Sequence, residues 1–206
     1  MLRRMLPTFD AKAATWDEEP RRRAMATAIV AAIVQRVPLA PGQRVLEVGC
    51  GTGLVGLPLA AITGSVLGVD LSPGMVATFR AKVQAANQAG VTAEVRDLVG
   101  APLPPGSIDV AVSAMAFHHI PDVAAMLRSL AGCVVPGGWV AIADLESEDG
   151  SFHAEPVPHL GFVPADFLAT MQQAGFAAAS QERVHVMQKP PGGRRYPIFL
   201  AVARKP

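Results

Sequence analysis

The chain has 206 residues, 50% hydrophobic and 17% charged, with a formal net charge of +1. That length supplies one well-cored domain, and the near-neutral balance lacks the basic stripe that a nucleic-acid face requires. Two cysteines, Cys50 and Cys133, cannot build a disulfide framework, so a reducing, cytoplasmic setting is expected.

Pro20 to Arg36 predicts a helix, ended by Pro38 and Pro41-Gly42. Its apolar run, Ala24 to Val34, follows Arg21-Arg22-Arg23 and has the outline of a signal sequence. It lies behind Asp10, Asp17, Glu18 and Glu19, however, and is too short to cross a bilayer. Neither export signal nor membrane span is expected. Arg21-Arg22-Arg23 and Arg194-Arg195 read as solvated faces and not as phosphate clamps.

Arg44 to Val48 is apolar and β-branched, a short buried strand. Gly49-Cys50-Gly51-Thr52-Gly53 follows, then an alanine-rich helical stretch from Leu54 to Ile62. A strand, a glycine turn and a helix offer free backbone N–H groups and let a ligand approach the main chain. That is a nucleotide-type turn. Gly51-x-Gly53-x-x-Gly56 matches the dinucleotide pattern, but that fingerprint places its first glycine directly after the strand. Counted from Gly49, the third glycine place holds Leu54. Glu47-x-Gly49-x-Gly51-x-Gly53 describes the turn better.

Ser65 to Asp70 predicts the second strand, and Asp70 lies 70 − 49 = 21 residues past Gly49. A carboxylate there is placed to accept hydrogen bonds from ribose hydroxyls. Ser72-Pro73 opens a helix that carries Met75, Val76 and Phe79 on its apolar stripe and runs to Asn87. Val91 to Val95 is a third strand, closed by Arg96-Asp97-Leu98. Ser107 to Ser113 is a fourth, with Asp109 in a structural role at its opening. Beyond its carboxyl end come Ala114-Met115-Ala116-Phe117-His118-His119-Ile120, where open α/β sheets bind ligands.

Pro121 to Cys133 predicts a helix, and Val135 to Trp139 a tight turn into a fifth strand, Val140 to Leu145. Between 146 and 162 stand Glu146, Glu148, Asp149, His153 and His159. Acids and histidines together invite a metal reading, but the spacing fits no compact ligand set and no cysteine joins them. No metal is expected; a substrate-lining loop is. Pro164 to Ala174 reads as a helix closed by Gly175. Arg183 to Gln188 and Ile198 to Ala203 read as a terminal hairpin across Pro-Pro-Gly-Gly, with one strand antiparallel to the sheet.

Taken in order, Val-Leu-Glu-Val-Gly-Cys-Gly-Thr-Gly, Asp70-Leu71-Ser72, Arg96-Asp97-Leu98, His118-His119-Ile120 and Pro136-Gly137-Gly138 with Asp144-Leu145 resemble the class I S-adenosylmethionine-dependent methyltransferases. The resemblance covers Phe9 to Leu145 and is to the small-molecule type of ubiquinone and menaquinone biosynthesis. It implies a Rossmann-like α/β fold with a seven-stranded, mostly parallel sheet, helices on both faces and the last strand antiparallel. A single domain over 1–206 is expected: a helical lid (1–36), a cofactor-binding core (44–145), and a substrate-side loop with the C-terminal hairpin (146–206).

The cofactor so implied is S-adenosylmethionine. Glu47 would order the turn, and Gly49, Cys50, Gly51, Thr52 and Gly53 would pass its amino-acid part. Asp70 and Leu71 would take the ribose, Asp97 and Leu98 the adenine, and Ser113 and Ala114 the wall at the fourth strand's end. Met75 either touches the adenine or is plain core. The segment from Thr8 to Asp17 resembles the family's lid, which would set Trp16 near the cofactor carboxylate; the alternative is a surface helix packing one aromatic.

The chain lacks the Asn-Pro-Pro-Tyr of enzymes that methylate exocyclic amines, which leaves a small-molecule acceptor through oxygen, carbon or nitrogen. Transfer would be a direct in-line displacement that draws on positioning. His118, His119, His153 and Glu146 are the candidate bases, the alternative for the paired histidines being local packing and a cap on the next helix. No nucleic-acid partner and no membrane are expected, and the chain is a monomer or homodimer. Two rivals share the turn. A nicotinamide-dependent oxidoreductase would use Asp70 too, but Tyr196 is the only tyrosine and no Tyr-x-x-x-Lys pair exists. The other rival is a non-catalytic protein that only binds S-adenosylmethionine.

Overall fold

The computed structural model describes residues 8–189 and 193–206; residues 190–192 of the expected Pro-Pro-Gly-Gly loop lie outside that range. Seven strands form one sheet: β1 (Val45–Val48), β2 (Val66–Asp70), β3 (Val91–Val95), β4 (Ile108–Ala114), β5 (Val134–Leu145), β6 (Ala177–Lys189) and β7 (Arg194–Arg204). Their order is β3-β2-β1-β4-β5-β7-β6. The first five run parallel, and β7 slots between β5 and β6, antiparallel to both. This is the Rossmann-like sheet that the motif order implied.

The strands alternate their side chains between two cores. Val45 and Val110 face α1 (Pro20–Arg36), α2 (Gly56–Thr63) and α3 (Pro73–Ala85) through Ile29, Ile33, Leu59, Val76 and Phe79. Leu46, Val48 and Ala111 face α4 (Val123–Cys133) and α5 (Pro164–Gln173) through Leu127, Leu130, Phe167 and Met171. Each fully buried aliphatic side chain there stabilises the fold by about 1.5–3 kcal/mol. Burial on both faces is why β1 reads as a nearly continuous apolar run instead of an alternating one. Glu47 is its sole polar residue.

Strand β1 lies between β2 and β4, so the chain leaves the sheet in opposite directions on either side of it. Ligands gather at the carboxyl ends around such a switch point. The other end carries a structural tie: Asp109 accepts from the Arg44 backbone at 2.7 Å and pairs with its guanidinium at 2.9 Å. That is the role expected of Asp109.

Several element boundaries differ from the sequence reading. Strand β5 starts at Val134, ahead of the Pro-Gly-Gly turn, because the strand continues past an irregularity in its register with β4. Strands β6 and β7 are both longer than expected, since mutual pairing extends them beyond their apolar centres. Helix α2 begins at Gly56 because the turn occupies 49–55.

Candidate active site

The carboxyl ends of β1, β2 and β4 open into a cleft of about 670 Å³ that also reaches the 8–22 segment and the loop after β5. Gly49 has φ +66°, and a Cβ there would stand 2.3 Å from that of Ala116, so only glycine lets the β1 turn lie against the β4 turn. Gly51 leaves an open cradle; its nearest neighbour would be the Met75 sulfur at 4.0 Å. Asp70, at the tip of β2, accepts from the Gly51 amide and, through its other oxygen, from the Ser72 amide, both at 2.9 Å. Burial raises its pKa, and those backbone donors oppose the rise.

Beneath the turn, Glu47 is 2% exposed and its Oε2 has no hydrogen-bond partner. Burial pushes this carboxyl up to about 8, with the Gly56 amide pulling the other way and the Asp70 charge adding to the rise. Gly56 is needed for room, since a Cβ there would come within 2.3 Å of Oε2. Asp97 accepts from the Val99 amide at 3.0 Å and lines the cleft with buried Leu98.

The N-terminal segment lines one side of the cleft through Thr8, Phe9, Lys12 and Trp16. Residues 8–12 are helical and lead into a 3-10 helix, Ala13–Glu18. Asp10 accepts from the Ser72 hydroxyl and, at 2.8 Å, from the Gly74 amide. Asp17 accepts from the Thr52 hydroxyl and pairs with Lys82, which also donates to the Thr52 carbonyl at 2.7 Å. Phe9 and Trp16 pack 5.9 Å apart, and the Arg22 guanidinium lies 3.8 Å above the indole. This segment and the glycine turn are thus tied directly together.

At the far end stand His118, His119 and His153. His118 sits in a 3-10 turn, Phe117–His119, and its Nδ1 lies 2.6 Å from Asp144, which also accepts from the His118 and Leu145 amides. Both partners are essentially unexposed. The ring centroids of His118 lie 4.1 Å from His119 and 4.9 Å from His153. Burial and the neighbouring histidines hold His119 down to about 2; burial, His118 and Lys189 hold His153 down to about 4. Both rings are therefore neutral near pH 7 and present lone pairs. Met115, between this turn and β4, takes φ +57°, a strained backbone at the cleft wall.

The profile of a methyltransferase-domain family matches residues 45–138. A ubiquinone biosynthesis O-methyltransferase of Xanthomonas campestris is 32% identical over 145 residues, which is 69% of this chain and 57% of that protein. The methyltransferase-domain match and this relative support a class I S-adenosylmethionine-dependent methyltransferase. It spans 55% to 64% of the length of the first curated relatives it matches. Among solved structures, the complex of the Haloferax volcanii Trm112 methyltransferase activator and a putative methyltransferase has a chain with TM-score 0.80 at 21% identity, covering 96% of this chain and 97% of that one. A Haemonchus contortus phosphoethanolamine N-methyltransferase solved with S-adenosylhomocysteine has TM-score 0.74 at 22% identity, covering 86% and 52%. These likenesses give the fold.

The fold brings most of the expected residues to one cleft. Trp16, Glu47, Gly49, Cys50, Gly51, Thr52, Asp70, Leu71, Met75, Asp97, Leu98, Ala114, His118, His119 and His153 all line it. Gly53 and Ser113 do not. Gly53 makes room for Phe79, whose ring would lie 2.7 Å from a Cβ, and Ser113, fully buried, donates to the Val48 carbonyl at 2.8 Å. Glu146 is held by Arg183 through two 2.7 Å bonds and lies outside the cleft. Neither paired histidine caps α4; Asp122 does, accepting from Ala125 at 2.7 Å. Arg22, read as a solvated face, is half-buried on Trp16 at the cleft's edge. Asp144 and Asp10 were named only within motifs and given no site role. An acid closing the apolar run of β5 was the available signal for Asp144.

Proposed function

We propose that the cleft binds S-adenosylmethionine and that the chain methylates a small molecule seated against the histidines. One observation carries this reading. A single cleft runs from Asp70 and the Gly49–Gly53 turn to the histidines, with no wall between the donor side and the acceptor side. The residues fit the cofactor. Asp70 stands where ribose hydroxyls are bound, Gly51 leaves backbone uncovered, and the buried Oε2 of Glu47 lacks a partner that a ligand amine would supply. When bound, the cofactor supplies an electrophilic methyl on a sulfonium.

The protein's own contribution is placement and dryness. Asp70 and Asp97 fix the nucleoside end, and the turn and Trp16 hold the amino-acid end. The lid, tied through Asp10 and Asp17, excludes water from the mouth. Neutral His119 and His153 accept hydrogen bonds from an acceptor's hydroxyl or amine and orient its lone pair toward the donor. A near-neutral protein without a basic stripe favours a small acceptor over nucleic acid, and no helix among the described residues is long and apolar enough to cross a membrane.

Incubation with methyl-labelled S-adenosylmethionine and a metabolite extract tests the reading. Label should enter the small-molecule fraction, and Asp70→Ala should remove most of the transfer. Protein that binds the cofactor but leaves all label on it would overturn the enzyme reading in favour of a sensor.

A further inference from the structure

The three histidines form a more definite object than a set of alternative bases. One ligating nitrogen from each of His118, His119 and His153 lies within 4.8 Å of the others. Each ring also has a buried nitrogen with no hydrogen-bond partner: Nε2 of His118, Nδ1 of His119 and Nε2 of His153. Three partnerless buried imidazole nitrogens on rings whose centroids lie 4.1, 4.9 and 5.1 Å apart are uncommon, since buried polar atoms nearly always find partners. Packing alone would not gather them.

The surroundings have the form of a ligand shell. Asp144 engages Nδ1 of His118 at 2.6 Å, which leaves Nε2 for the cluster. A carboxylate behind a ligating imidazole fixes its tautomer and raises its donor strength. His153 is positioned by a loop anchored on three sides. Phe152 is buried 5.0 Å from Tyr196, its amide donates to Glu148 at 3.0 Å, and the Tyr196 hydroxyl donates to the Ser151 carbonyl at 3.2 Å. His159 pins the other loop, bonding the Ile120 carbonyl at 2.9 Å and the His118 carbonyl at 3.2 Å. Phe9 covers the His119 ring edge-on at 5.3 Å.

We propose that His118, His119 and His153 bind one divalent transition-metal ion of the zinc–cobalt class, with a fourth position open to the cleft. All three ligands are nitrogen, the donor set that suits zinc, cobalt, iron and copper and not magnesium or calcium. Tetrahedral ligation at about 2.0–2.1 Å places nitrogens about 3.3 Å apart, so the rings need to close by only a modest side-chain movement. The sequence reading expected no metal because the segment 146–159 holds no compact set by itself; the site instead joins His153 to a histidine pair from the β4 turn. With an ion bound, the lone pairs of His119 and His153 face it instead of the acceptor, and an acceptor presenting a hydroxyl oxygen would occupy the open position.

The test titrates metal-free protein with Zn²⁺ in competition with a chromophoric chelator and with Co²⁺ by visible absorption. One equivalent should bind per chain, and Co²⁺ should develop the intense bands of a low-coordinate, nitrogen-ligated ion. His153→Ala should lose binding by 100-fold or more while keeping the circular dichroism of the wild-type chain. Asp144→Asn should weaken binding by about 10- to 100-fold. Should His153→Ala fail to fold, the wild-type Co²⁺ spectrum decides alone. Weak absorption of the hydrated-ion type, substoichiometric metal, or equal affinity in wild type and a folded His153→Ala would overturn the site. S-Adenosylhomocysteine binding, measured in the same metal-free protein, separates that outcome from failure of the cofactor reading.

Discussion

Glu47 shows how one residue can answer to both stability and ligand. It occupies a β1 position whose neighbours are fully apolar, with a carboxyl raised to about 8 by burial. Below pH 4.5 both folded and unfolded chains hold its proton. Between 4.5 and about 8 the unfolded chain ionises first, so stability falls as pH rises, and above that range the loss levels off. Glu47→Gln removes the titration. Its melting temperature in ligand-free protein should fall less than that of wild type between pH 5 and 8, the gap widening to the order of a few kcal/mol. A difference that stays constant across that range would contradict the assignment. At the same scale, Gly49 and Gly53 separate two reasons for glycine in one turn. Gly49 admits the β4 turn and lines the cleft, whereas Gly53 admits Phe79 and belongs to the core. The motif presents them alike; packing distinguishes them.

At the scale of elements, the segment 8–18 is held to the body by few bonds, and these land on the glycine turn and the start of α3. Asp10 reaches the first turn of α3 beside Asp70's loop, and Asp17 reaches Thr52 within the glycine turn. The placement of this segment and the shape of the turn are therefore coupled. The Asp17–Lys82 pair is about one-third exposed on both sides, which limits its worth. Asp17→Asn should cost about 1 kcal/mol of cofactor binding, roughly a 5-fold loss, through weaker closure. Titration of S-adenosylhomocysteine followed by Trp16 fluorescence reads this, and unchanged affinity and unchanged fluorescence would show that the segment is a surface helix without a lid function.

Over the whole molecule, the strand-end residues that line the cleft were legible in the sequence and the gathering of the histidines was not, for a physical reason. Asp70, the glycine turn and Asp97 each lie at the end of a strand whose apolar run is itself readable, and parallel pairing then brings those ends together. No such local rule links His118 and His119 with His153. They converge because β5 lies beside β4, and the loop after β5 folds back onto Tyr196 of β7. Ser113 was misplaced since strand register, not position near a strand end, decides which face a side chain takes; it points between β1 and β4. The terminal strands were drawn too short because hydrogen-bonded pairing carries β6 and β7 past the reach of their apolar pattern.

The central claim is that the crevice at the β1–β4 switch point holds an adenosine-bearing sulfonium and not a redox dinucleotide. Isothermal titration of the same protein with S-adenosylhomocysteine, NAD⁺ and NADH tests it most directly. The account predicts one S-adenosylhomocysteine bound per chain with micromolar affinity and no heat from either nicotinamide; saturable NAD⁺ or NADH binding with a silent S-adenosylhomocysteine titration would contradict it.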